Sequence, residues 1–270
     1  HMKHKQPSES APEPEESDEV RRLRRELARA NAKLERLQER KSSMLAMAAH
    51  DLRTPIAIIQ GYAQLLELSL SAEADPAIRE YLTTIVAHAA SLRNGIENLV
   101  ALDAMDRGEV KIDPVRCDLV ELVNQALAQV EGLMSVKGVE LTQETPPEPL
   151  WVLADEDAAG RALYSLISHA EKYARERGQL IMTVVVDGGY GRVSVRDPDR
   201  RLPAEVIARA FERVEIGPEG RAATRGTDLG LVVARKLAEA HGGHVAASST
   251  EAGTTLSLSL PRASEEPAEA

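Results

Sequence analysis

The feature that most constrains this chain is a seam of apolar residues, Val20, Leu23, Leu27, Ala30, Leu34 and Leu37, separated alternately by three and four residues. That alternation puts all six on one side of an α-helix, and with Arg, Glu and Lys on the other faces it fits a parallel two-stranded coiled coil. A solvated amphipathic helix on a monomer stays open as the plainer reading. No helix-breaking residue intervenes from Met44 to Ala48, so the same helix is expected to enter the segment Ala49-His50-Asp51-Leu52-Arg53-Thr54-Pro55. Pro55 lacks an N–H and crowds the carbonyl of Asp51, which predicts a bend and a loosened helix beside His50. Apolar spacing resumes at Ile58, Ile59, Tyr62, Leu65 and Leu66.

The stretch from Ser71 to Pro76 reads as a turn, with Asp75 as N-cap and Pro76 in the first helical position. A second helix follows through Ile78, Tyr81, Leu82, Ile85, Leu92, Ile96, Leu99 and Leu102. Two helices joined by a short loop form an antiparallel hairpin, which alone cannot cover both apolar stripes. Two hairpins from two chains make a four-helix bundle, so a homodimer is expected. From Asp106 to Pro114 the pattern stops, and helices and strands then mix. Helices are predicted over 119–134, 158–174 and 229–240. Strands are predicted over 139–142, 151–153, 180–186, 192–196, 244–248 and 254–260, with a hairpin through Gly188-Gly189. This is an α+β chain, a helical hairpin followed by an α/β sandwich.

The 270 residues are 43% hydrophobic but only 3% aromatic, so the core must be built from Leu, Val, Ile and Ala. A net charge of -10 argues against a nucleic-acid surface, which needs clustered Lys and Arg. The single cysteine, Cys117, excludes an internal disulfide and a Cys-rich zinc site and is consistent with a reducing cytosol. No apolar run approaches the roughly 20 residues needed to span a bilayer, and no signal peptide is visible. A cytoplasmic protein, or the cytosolic part of a larger one, is expected. His1-Met2 reads as a tag-cleavage scar. The Pro-, Glu- and Ser-rich residues 1–17 and the tail 263–270 are expected to be disordered.

His50 carries the chemistry of the first segment. A neutral imidazole has one nitrogen lone pair able to attack phosphorus, and a partner fixes which nitrogen holds the proton. Asp51 can orient the ring or take a proton. Thr54, four residues on, shares a face with His50 and can position a water. A lone helical histidine is usually structural or simply exposed; the whole string is what gives His50 weight. The string resembles the H-box of two-component histidine kinases, a histidine followed by Asp or Glu and then Leu-Arg-Thr-Pro. The resemblance implies that His50 is phosphorylated, that Asp51 is its acid–base partner, and that Thr54 serves in dephosphorylating a response regulator.

The second half resembles the GHKL-type ATP-binding domain of the same kinases, an α/β sandwich of Bergerat type. Together the two resemblances span roughly residues 20–262 and imply ATP and Mg²⁺ as cofactors and a response-regulator receiver domain as partner. They divide the chain into a coiled coil at 18–43, a phospho-acceptor hairpin at 44–108 and an ATP-binding domain at 115–262. In the family's N-box two asparagines stand four apart; here Ser165 and His169 occupy those positions, followed by Lys172 and Tyr173. The second asparagine gives an oxygen to Mg²⁺, for which the His169 imidazole is a poor replacement. The plainer reading of His169 is a partly exposed helix residue. The family's Asp-x-Gly-x-Gly appears as Asp197-Pro198-Asp199-Arg200-Arg201. The retained Asp197 would accept the adenine amino group. The charged Asp199 and Arg201 are expected to crowd the adenine pocket or remodel the loop.

Phe211 retains the first phenylalanine of the F-box, and Val214 replaces the second. In the last glycine-rich loop Gly226 and Gly230 remain, and Asp228 replaces the middle glycine. Asp228 either repels phosphates or caps the following helix. Gly253-Thr254-Thr255 matches closely, and His241 and His244 are read as fold features. The resemblance thus implies a histidine kinase with an altered nucleotide site. Two alternatives stay open: a pseudokinase acting as response-regulator phosphatase or phosphotransfer module, and a non-enzymatic dimeric scaffold.

Overall fold

The structure is a computed structural model and describes residues 18–70, 75–212 and 229–264. It divides after Ala46 into two compact units. Helix α1, Asp18–Ser69, is continuous and stays helical through Pro55. In its first part the seam residues Val20, Leu23, Leu27, Leu34 and Leu37 are all exposed.

In the second unit, the rest of α1 pairs with α2, Pro76–Asp106. Asp75 caps α2 as expected, its carboxylate accepting the Ala77 N–H at 3.0 Å, with Pro76 opening the helix. Ala49 and Ile56 of α1 pack against Ala89 and Ile96 of α2. Arg93 donates to the Gln60 side chain at 3.2 Å and Thr83 to Glu67 at 3.3 Å, fixing the hairpin's register. The opposite faces stay open. Ile78, Ile85, Leu92 and Leu99 recur every seven residues along α2 and are exposed, as are Ile58, Tyr62, Leu65 and Leu66 on α1.

Downstream lie β1 (Val115–Asp118), α3 (Leu119–Ala128), α4 (Glu131–Lys137), β2 (Glu140–Glu144), β3 (Trp151–Ala154) and α5 (Glu156–Tyr173). They are followed by β4 (Gln179–Asp187), β5 (Tyr190–Asp197), α6 (Ala204–Ala208), α7 (Leu229–Ala240), β6 (His244–Thr250) and β7 (Gly253–Pro261). β1 and β3 form a small antiparallel pair; the main sheet runs β2-β4-β5-β7-β6, with β2 and β4 parallel and the other neighbours antiparallel. The β4–β5 hairpin turns at Gly188, whose φ of 58° suits a two-residue hairpin loop.

Alternation in the strands decides the layers. Leu180, Met182 and Val184 of β4, Val193 and Val195 of β5, and Leu256, Leu258 and Leu260 of β7 face inward and are buried. Leu163, Leu166 and Ile167 of α5 and Val233 and Leu237 of α7 meet them, giving the expected aliphatic core.

One predicted helix is divided. The apolar period over 119–134 continues across a break between α3 and α4, where Val130 is fully buried in the main core. Neither Gly nor Pro marks this break; packing of Val130 overrides the local helical pattern. β1 and α6 were not anticipated, being only four and five residues long. Because α2 also packs on α4 and α7, the hairpin and sandwich form one unit. Lys236 of α7 meets Asp106 at the end of α2 at 2.9 Å.

Candidate functional site

Ala49 and Ile56, seven residues apart, take the buried face of α1. One residue past Ala49 is a rotation of about 100°, so His50 falls off that face into solvent. Its side chain is 79% exposed and that of Asp51 71%. His50 Nδ1 and Asp51 Oδ1 lie 3.3 Å apart. Thr54, one turn on, is also exposed. The helix therefore brings the three residues together as one accessible surface.

The second site begins with strand parity. The inward row of β5 runs Val193, Val195, Asp197, so a carboxylate ends a row of core residues and is only 7% exposed. Burial pushes the Asp197 carboxyl above the usual range. The Asp199 N–H, 3.0 Å from Asp197 Oδ1, and the Arg200 cation oppose that shift. Across the ladder Asp197 pairs with Thr254 of β7, also buried. A cavity of about 530 Å³ opens beside these two residues, walled by Val195, Ile207, Leu231 and Leu256 and edged by His169, Tyr173 and Arg200.

Asp199 and Arg201 do not crowd this cavity, which excludes the first of the two effects expected of them and leaves the second, an altered loop. Asp199 turns to Arg175, 3.1 Å away, and Arg201 donates to the Glu251 carbonyl at 3.0 Å. The Thr254 hydroxyl donates to the Arg200 carbonyl at 2.8 Å, and Leu202 N–H donates to Ser249 Oγ at 2.9 Å. These bonds tie the loop to the β6–β7 turn. The residue that does line the cavity is Arg200, to which the sequence assigned no role. Its guanidinium sits 4.6 Å from the centre of the Tyr173 ring. An arginine between the two replaced glycines was the available signal.

His169, expected to be partly exposed on its helix, is buried, at 8% exposure, and its ring lies 4.6 Å from that of Tyr173. Among the described residues no group of three or more His, Cys, Asp or Glu could hold a metal ion. A buried imidazole packed on an aromatic ring offers no oxygen, so these residues do not fit Mg²⁺. Ser165, at the other replaced asparagine, is 1% exposed, and its Oγ has no hydrogen-bond partner among the described residues.

Two expected site residues lie elsewhere. Lys172 and Gly230 line a separate cleft of about 990 Å³ beside α2, not the Asp197 cavity. There Lys137 Nζ donates to the carbonyls of Glu171 and Lys172 at 2.7 and 2.9 Å, placing a cation at the end of α5. Burial pushes the Glu171 carboxyl up, opposed by Lys137 and His88. His88 of α2 faces this cleft. Its approach to Glu171 is a tertiary relationship that no local pattern signals. His241 proves a fold feature: its Nε2 accepts the Asp155 N–H at 3.0 Å and its Nδ1 lies 2.7 Å from the Leu237 carbonyl. Gly226 and Asp228, with Val214, lie outside the described residues.

Residues 40–108 match the His Kinase A (phospho-acceptor) domain, and residues 154–264 match the histidine kinase-, DNA gyrase B- and HSP90-like ATPase family. The chain is a two-component sensor histidine kinase core. The aerobic respiration control sensor protein ArcB of Escherichia coli is 31% identical to this kinase core over 246 residues, 86% of this chain and 30% of ArcB. The histidine protein kinase DivJ of Caulobacter vibrioides is 30% identical over 246 residues, 87% of this chain and 40% of DivJ. The kinase core thus spans about a third of the length of these curated relatives. Among solved structures, full-length ShkA in complex with AMPPNP is similar with a TM-score of 0.57 at 24% identity, over 83% of this chain and 47% of that one. Histidine kinase AdeS of Acinetobacter baumannii is similar with a TM-score of 0.52 at 20% identity, over 79% of this chain and 98% of that one. Both likenesses show the fold. Among the described residues, no helix of the kinase core is long and apolar enough to cross a membrane.

Proposed function

We propose that this kinase core phosphorylates His50 from ATP as a homodimer, passes the phosphoryl group to an aspartate of a response-regulator receiver domain, and binds nucleotide weakly. The observation that carries the reading is the exposed His50–Asp51–Thr54 face in a chain that also holds an apolar cavity ending in a buried carboxylate.

With the proton on Nδ1 facing Asp51, Nε2 presents its lone pair. A bond forms from Nε2 to the γ-phosphorus as the bond from that phosphorus to the ADP oxygen breaks, and ADP leaves. Asp51 holds the Nδ1 proton and offsets the positive charge that develops on the ring. Asp197 would accept the adenine amino group, with Thr254 beside it and the apolar walls of Val195, Leu231 and Leu256 around the base. No step is routed through magnesium, because His169 offers it no oxygen and the described residues hold no cluster of three or more metal-ligating side chains.

The exposed heptad row of α2 and its counterpart on α1 support the dimer, because a second hairpin would cover them. The exposed seam of Val20 to Leu37 supports a coiled coil over 18–43, ahead of a phospho-acceptor hairpin at 44–108 and an ATP-binding domain at 115–262. Cytoplasmic placement is part of the same reading, since response regulators and ATP meet there.

Incubation with labelled ATP is expected to give an acid-labile phosphoprotein that disappears in His50→Ala. No labelling at millimolar ATP, with or without Mg²⁺, would sink the autokinase reading. A second reading, a phosphatase of a phosphorylated receiver, is favoured by Thr54 standing exposed one turn from His50 while the nucleotide residues are altered. It predicts dephosphorylation that slows by about a hundredfold or more in Thr54→Ala, the usual scale for losing one positioned catalytic group.

A further inference from the structure

The substitution at the magnesium position and the unassigned arginine meet on one side chain. The Tyr173 ring carries the His169 imidazole at 4.6 Å and the Arg200 guanidinium at 4.6 Å, and Lys172 Nζ lies 5.4 Å from its centre. The first two edge the same cavity as Asp197. His169 and Arg200 thus flank one half-buried ring at the edge of the Asp197 cavity, while Lys172 approaches the same ring from the neighbouring cleft.

We propose that this cavity binds adenine nucleotides without a divalent cation, with the Arg200 guanidinium as the phosphate-binding cation. The inference rests on the reading of the Asp197 cavity as the nucleotide site and goes beyond it by naming what replaces the metal. A polyphosphate needs a concentrated positive partner. Guanidinium supplies a permanent charge and a planar fork of N–H donors that matches phosphate oxygens. Stacking on Tyr173 limits the rotamers open to Arg200, so less freedom is lost when it grips an anion. The loop is held in place on both sides of this arginine. The Arg200 carbonyl accepts the Thr254 hydroxyl, while Arg201 and Asp199 are engaged away from the cavity. Arg200 alone of the three consecutive charged residues faces inward.

Calorimetric titration of the full chain with adenosine, ADP and ATP, each with excess EDTA and with millimolar Mg²⁺, tests this. The expected result is ADP and ATP binding that changes by less than about twofold between EDTA and Mg²⁺, and tighter than adenosine binding. Arg200→Gln is expected to weaken ADP binding by about tenfold to a hundredfold, the range for one charge-assisted contact, and to leave adenosine binding unchanged. His169→Asn, which restores an oxygen donor, is expected to introduce a Mg²⁺ dependence absent from the parent. Binding that requires Mg²⁺ in the parent chain overturns the inference but spares the nucleotide-site reading. So does ADP affinity that is unchanged or increased in Arg200→Gln, which would make the arginine a bystander or a plug. Failure of all three ligands to bind under any condition overturns both.

Discussion

Gly253 lies directly against the backbone of Asp197: a Cβ on Gly253 would overlap the Asp197 carbonyl and the Pro198 Cα. Its φ of 113° is also one that side-chain-bearing residues rarely adopt. The β7 strand begins at this glycine, and the next residue, Thr254, pairs with Asp197. Absence of a side chain at 253 therefore sets where the buried carboxylate stands. Gly253→Ala is expected to cost at least about 2 kcal/mol from backbone strain and overlap together. A thermal-unfolding midpoint within a degree of the parent would contradict this.

Asp155 joins three segments. Its carboxylate accepts the N–H groups of Ala158 at 3.0 Å and Asp113 at 3.2 Å, and its own N–H donates to His241. Asp155→Ala is expected to destabilise the fold by about 1–2 kcal/mol, the range for losing a helix N-cap. The Ala158 N–H is the main cause that holds this carboxyl below the usual range, with Asp113 N–H and His241 adding to it. A folded pKa below the unfolded one means that the stabilisation is present above about pH 4 and lost as pH falls through the folded value. The parent's advantage over Asp155→Ala in denaturant melts must therefore shrink on acidification.

Asp197 behaves in the opposite sense. Burial raises its folded pKa, so the folded state holds a proton that the unfolded chain has released. Stability from this group is full below about pH 4 and declines as pH rises through the raised value. Asp197→Asn is expected to remove that decline while lowering adenine affinity about tenfold, since the charged acceptor for the amino group becomes a neutral amide oxygen. A pH profile of stability identical to the parent's would refute the assignment.

Ser165 is expected to be dispensable to the fold. Its hydroxyl is buried with no hydrogen-bond partner among the described residues, which costs free energy that an alanine avoids. Ser165→Ala is expected to be neutral or to stabilise by up to about 1 kcal/mol; a loss of more than that in chemical denaturation would show an engaged hydroxyl.

Local patterns carried most of the architecture. The long helix through Pro55, the Asp75-Pro76 helix start, the β4–β5 hairpin and the inward rows of the strands follow from periods of 3.6 and 2 and from capping chemistry. Those periods also placed His50 beside a buried face and Asp197 at the end of a buried row. The break at Val130 escaped, because it is decided by a core position and not by a local breaker.

The tertiary structure alone decided which charges serve the cavity. From sequence, Asp199, Arg201, Lys172 and Gly230 converged on one nucleotide, and His169 read as a partly exposed helix residue. The fold turns Asp199 and Arg201 outward to Arg175 and Glu251, and places Lys172 and Gly230 in another cleft. It buries His169 and directs Arg200 onto Tyr173. Within a helix or strand, side-chain direction repeats with the backbone and can be counted from the sequence. In the irregular turn after Asp197 there is no period to count, and partners more than twenty residues away decide where each charge points.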